Sequence, residues 1–359
     1  MAESIHSATN SKSLRALVAR YPIVVFVTLA YLISWIAWLL TNRIDMGVVN
    51  GFAIIGGAGP ALAAMIMSAL RGPEPSGIPA GKRWRLFGMT GIIVLAVLVV
   101  RRQWITADLV NVVGRTSGTV SYPTLTSFLG DVLAAVVVAF FLSGIHSQRL
   151  GVSNLLRSLN THCQPIRWYW FAVAVGLYPV VILLGNAIST RLGLPIPASR
   201  VSGLWYWLAV DALIMFLFVM LGGGGLEEPG WRGFALPLLQ MRYTPLRASL
   251  ILAVMWTFWH WPLFWFGYSE GGPLGVFFFL FGVAPITLLF TAVFNRSRGS
   301  LPIVILLHTS VNITGTYLPP STLASSLWML MILGVAFVMW RVPKIFSIHN
   351  MPDKLDEAI

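Results

Sequence analysis

Two adjacent carboxylates, Glu227 and Glu228, close a strongly apolar run and are followed by Arg232 in Gly222-Gly223-Gly224-Gly225-Leu226-Glu227-Glu228-Pro229-Gly230-Trp231-Arg232-Gly233. At a spacing of four, Glu228 and Arg232 share one helical face, in the acid-before-base order that helices favour. Glu227 projects about 100° away from that face. The pattern predicts a division of labour in which Arg232 neutralises Glu228 and Glu227 faces a cavity. A second cluster, Trp256-Thr257-Phe258-Trp259-His260, sets a histidine among aromatics, with Trp256 one turn earlier on its face. The third, His308-Thr309-Ser310-Val311-Asn312, puts an imidazole and an amide one turn apart on a common face. Taken singly, each has a plain structural reading: an ion pair at a helix end, a hydrogen-bonded core histidine, a polar contact between helices. Taken together, two carboxylates, two histidines and an amide make a candidate hydrolytic site.

These residues sit in or beside long apolar segments. A membrane helix needs roughly 20 predominantly apolar residues, and ten segments answer that description: 21–40, 46–70, 86–100, 122–145, 168–189, 204–226, 248–266, 273–294, 302–318 and 322–340. The third, at 15 residues, is the shortest. The first is too long, and lacks the small-residue pattern, to read as a cleaved signal. With the N-terminus inside, 18 of the 24 Lys and Arg fall in segments on the cytoplasmic side and 6 outside, the asymmetry expected of flanking loops. On this map Glu227 lies at the inner end of the sixth span. His260 lies about 18 Å into the seventh and His308 about 10 Å into the ninth. All three then meet in the cytoplasmic half of the bilayer. A charged residue at a helix centre costs about 2.5–3.5 kcal/mol in insertion, so ionisable groups kept there are paired, wet or working. Asp131 and Asp211 belong to the same costly set and are read as hydrogen-bonded core acids.

Composition sets the class. Of the 359 residues, 57% are hydrophobic and only 10% charged, with mean hydropathy +0.79. Soluble domains carry about a quarter charged residues, so the chain reads as an all-α polytopic membrane protein of about ten transmembrane helices, with a catalytic bundle in its C-terminal half. The net charge of +12 is spread between apolar runs rather than gathered in a patch, which argues against nucleic acid as a partner. The single cysteine, Cys163, excludes an internal disulfide. Ala53, Gly57 and Ala61 form a small-residue stripe suited to close helix packing. The organisation expected is a cytoplasmic tail at 1–20, N-terminal transmembrane helices at 21–167, an intramembrane bundle at 168–340 with its motifs in 205–318, and a cytoplasmic tail at 341–359.

Glu-Glu-x-x-x-Arg, then aromatic-x-x-x-His, then His-x-x-x-Asn, in order on successive apolar segments, resembles the CAAX prenyl protease and bacteriocin-processing (CPBP, Abi-type) family of intramembrane endopeptidases. Arg298-Gly299-Ser300-Leu301 before the third motif and Gly59-Pro60-Ala61 in the second span are similar to that family as well. Trp256 stands where the family usually has Phe, and ten spans exceed its usual eight.

The resemblance implies hydrolysis of a peptide bond in a membrane-associated or lipidated protein or peptide, in a bacterial plasma membrane with both termini cytoplasmic. It implies Glu227 as general base and His260 holding the water. His308 and Asn312 then serve as oxyanion donors, with Glu228 and Arg232 as supports. No cofactor is required on this route. A zinc ion held by Glu227, His260 and His308 is the alternative, although the spacing is not that of the His-Glu-x-x-His proteases. From another class, the same residues suit a membrane immunity or scaffold protein, or a proton-linked transporter.

Overall fold

The computed structural model describes residues 15–43, 51–104, 125–159, 166–198, 205–265 and 271–347. Cys163, the first 14 residues and the last 12 lie outside these, and the side chains of Asp211 and Ala53 are likewise not described. The protein is an all-α polytopic membrane protein. Its principal helices are α1 (Pro22–Arg43), α2 (Gly51–Arg71), α3 (Ala80–Trp104), α4 (Leu125–Ser143), α5 (Leu150–Arg157), α6 (Tyr169–Arg191) and α7 (Trp205–Gly222), followed by α8 (Leu236–Gln240), α9 (Pro245–Trp259), α10 (Trp261–Trp265), α11 (Gly275–Arg296), α12 (Leu301–Tyr317) and α13 (Thr322–Arg341).

A helix occupies each of the ten expected positions, but they are not equivalent. Among the described residues, seven stretches are long and apolar enough to cross a membrane, and α12 is a shorter apolar helix. Neither α3 nor α9 is among the seven. The sequence of α3 carries Lys82, Arg83 and Arg85 near its start and Arg101 and Arg102 near its end.

Two expected spans are broken. The sixth does not run straight through to its acids: α7 stops at Gly222, a 3-10 turn covers Gly224–Leu226, a helical turn covers Glu228–Gly230, and a π-helical turn covers Trp231–Ala235. Glycine loses the most backbone freedom on ordering, so a run of four weakens the helix where it breaks. The seventh breaks at His260, between α9 and α10, so that histidine sits at a helix end rather than mid-helix. Hydrocarbon offers no hydrogen bonds to the freed carbonyls, and the protein supplies them. His260 Nδ1 donates to the Trp256 carbonyl at 2.7 Å. From α1, the Tyr31 hydroxyl donates to the Met255 carbonyl at 2.5 Å and Trp35 Nε1 to that of Trp259 at 2.9 Å. Trp259 Nε1 returns a bond to Ser34 Oγ at 2.7 Å.

Helices in lipid associate through close packing and hydrogen bonds rather than through loss of water. Small residues therefore mark the contacts. A Cβ on Gly59 would lie 2.0 Å from Ser34 Oγ, and one on Gly56 would enter the Trp38 ring, so α1 and α2 touch backbone to side chain. The close approach of α1 to α2 runs through Gly56 and Gly59, and Ala61 of the predicted stripe is buried in the core. Gly185 of α6 meets Ala324 of α13 in the same way. Outward-facing apolar side chains such as Phe278 (77% exposed) and Phe281 (75%) cover the lipid-facing side of α11.

Candidate active site

The π-helical turn fixes the first motif. Such turns occur mostly as single bulges, frequently at functional sites. It is seated on α2 by Gly230, where a Cβ would fall 2.4 Å from the carbonyl carbon of Pro60. This contact gives Gly59-Pro60-Ala61 its place in the structure: Pro60 is the floor on which the motif rests. Glu228, Arg232 and Trp231 are fully buried.

Glu228 Oε1 accepts from Arg232 Nη1 at 3.0 Å, the ion pair that the spacing of four predicts. It also accepts from His308 Nδ1 at 2.6 Å. One carboxylate oxygen thus ties the broken segment to α12. The guanidinium of Arg232 lies between two aromatic faces, 4.4 Å from the Trp256 ring centroid and 4.8 Å from that of Phe290. Cation–π attraction stands in where its Nε and Nη2 make no hydrogen bond.

Glu227 is 7% exposed. Its Oε2 accepts from Trp256 Nε1 at 2.6 Å. Trp256 also stands against both histidines, with ring centroids 5.4 Å from His308 and 5.9 Å from His260. Because a carbonyl can only accept, the bond from His260 to Trp256 puts the proton on Nδ1 and leaves Nε2 to accept. His260 is packed between Trp259 (4.7 Å) and Phe279 (5.1 Å).

His308 and Asn312 reach the same point. A Cβ on Gly224 would lie 2.6 Å from His308 Nε2 and 2.9 Å from Asn312 Nδ2, so both side chains end against the Cα of that glycine. His308 is buried and Asn312 exposed, so this face of α12 leads from the interior outward.

All six sequence-predicted residues therefore converge: Glu228, Arg232 and His308 by direct bonds, Glu227 and His260 through Trp256, and Asn312 beside Gly224. Three participants were not foreseen. Trp256 donates a hydrogen bond where only an aromatic wall was expected. Gly224 makes room for the third motif, and Phe290 closes the back of Arg232. The indole N–H, the one polar handle of tryptophan, was the available signal for the first.

Among the described residues no group of three His, Cys, Asp or Glu side chains is arranged to hold a metal. His308 Nδ1 is bonded to Glu228, His260 Nδ1 to a carbonyl and Glu227 Oε2 to an indole, bonds that fix the three groups and leave Nε2 of each ring and Oε1 of the carboxylate outside them. Asp131 is buried with interactions of its own, as read from the sequence.

Residues 209–314 match the family model described as Type II CAAX prenyl endopeptidase Rce1-like. The family resemblance holds. This CAAX-endopeptidase-like stretch runs from α7 through most of α12 and carries all three motifs. CAAX prenyl protease 2 of Methanococcus maripaludis is 31% identical over 144 residues, 38% of this chain and 52% of that one. The chain thus spans about half the length of that curated relative.

Proposed function

We propose that the protein is an intramembrane endopeptidase that hydrolyses a peptide bond of a membrane-associated or lipidated protein or peptide by glutamate-activated water. The observation that carries this reading is the pairing of a singly anchored carboxylate, Glu227, with a second, Glu228, whose Oε1 takes both Arg232 and His308, at a buried break in two helices.

A carboxylate withdrawn from bulk water is the stronger base. Glu227 takes one proton from a water, and the oxygen of that water forms a bond to the scissile carbonyl carbon. The resulting oxyanion is met by Asn312 Nδ2, and by His308 Nε2 when both ring nitrogens carry protons, a charge that Glu228 offsets. His260 Nε2 accepts the second hydrogen of the water and holds its lone pair on line. When the C–N bond breaks, the leaving nitrogen receives the proton from Glu227, and the carboxylate is restored. A plasma-membrane location with both termini on the basic, cytoplasmic side belongs to the same reading.

The test uses the full chain in detergent and a fluorogenic farnesylated peptide ending in a CAAX tail, with the unprenylated peptide beside it. Glu227→Gln is expected to lower cleavage about 10²–10⁴-fold, the usual contribution of a general base, with the melting temperature little changed. Cleavage at the parental rate by the pure variant rejects the assignment.

A further inference from the structure

Trp256 makes a contact that a wall residue would not. Its Nε1 lies 2.6 Å from Glu227 Oε2, at the short end for an N–H donor, just below the range of about 2.7–2.9 Å for charge-assisted N–H···O bonds. The terminal torsion of a glutamate is broad and roughly two-fold, so an unanchored carboxylate would spread both oxygens over many directions. Anchoring one oxygen fixes the other.

The anchor is itself held. The Arg232 guanidinium covers the indole face at 4.4 Å, and Phe290 packs at 6.1 Å. His308 meets the ring in a T-shaped contact. The backbone carbonyl of the same residue is bonded by His260 Nδ1, so one tryptophan sets the direction of the carboxylate through its side chain and of the histidine through its main chain. A phenylalanine at this position would keep the packing and lose the donor.

We propose that Trp256 is a positioning residue whose indole N–H pins Oε2 of Glu227 so that Oε1 is the oxygen presented to the attacking water. This rests on the peptidase reading above, and the experiment separates the two. Trp256→Phe and Glu227→Gln are compared with the parent on the farnesylated CAAX-tailed peptide, in the full chain in detergent. A lost hydrogen bond to a charged group lowers kcat about ten- to a hundred-fold. KM stays within about two-fold, because the interaction serves the reacting water rather than the bound peptide. A parental kcat for Trp256→Phe, with Glu227→Gln inactive, overturns the positioning role and leaves the peptidase standing. An active Glu227→Gln overturns both.

A second measurement does not depend on the folding of Trp256→Phe. In ¹⁵N-indole NMR of the parent, one tryptophan N–H proton is expected well downfield of the rest, moving upfield in Glu227→Ala. Indole spectra that coincide in the two proteins overturn the bond.

Discussion

His308 and Glu228, 80 residues apart, share a 2.6 Å hydrogen bond on the same oxygen that binds Arg232. Glu228 is therefore more than a counter-ion to the arginine. It orients the imidazole, leaving Nε2 directed at Gly224 beside Asn312. Two elements of the site are fixed relative to each other by one buried atom.

Removing that acid strands two partners. Glu228→Ala is expected to destabilise the protein by about 3–5 kcal/mol, the cost of breaking a buried pair from one side, and to abolish cleavage. Glu228→Gln keeps an acceptor for His308 and is expected to lose less stability. Thermal unfolding in detergent ranks the two variants, and parental melting for the alanine variant would contradict the ion pair.

Gly224→Ala places a methyl where His308 Nε2 and Asn312 Nδ2 now lie. A shift of about 1 Å in a catalytic group can cost 10²-fold in rate. The variant is expected to lose about that much kcat while keeping most of its stability. Retention of full activity would separate these two side chains from the chemistry.

Gly230→Ala tests the seat of the π-helical turn. Its new methyl would collide with the Pro60 backbone, which cannot rotate aside as a side chain can. Overpacking typically costs about 1–3 kcal/mol, and a collision with backbone belongs at the upper end. Unfolding in denaturant measures it, with Gly176→Ala, where open space surrounds the Cβ position, as the control.

Tyr31→Phe and Trp35→Phe each remove one bond from α1 to a carbonyl near the broken end of α9. Interhelical hydrogen bonds in membranes average about 0.6 kcal/mol, with about 1.7 at most. Each variant is expected to lose stability in that range. A larger combined loss in the double variant than the sum of the two would show that the carbonyls are guarded jointly.

The site was legible in the sequence to the extent that it follows helical spacing. The four-residue intervals of Glu228 with Arg232 and of His308 with Asn312 both reappear as shared positions in space. The convergence of the three motifs was legible too, because costly groups in an apolar chain need partners. What was not legible was where helices stop. Pro262, two residues past His260, is the one local mark of the break in the run from Ala248 to Phe266, and the Tyr31 and Trp35 bonds beside it come from 224 residues away. The bond from Trp256 to Glu227 was missed for a related reason: spacing reports which residues share a face, not which atoms of neighbouring helices meet.

The clasp between α1 and α9 also bears on modularity. The recognisable stretch begins at residue 209, yet main-chain oxygens near the end of α9 are covered by side chains from residues 31 and 35. A fragment cut to the recognisable length would lose both bonds, at about 0.6–1.7 kcal/mol each. The helix α1 is thus tied to the motif-bearing α9 from outside the recognisable stretch, however little its own sequence announces it.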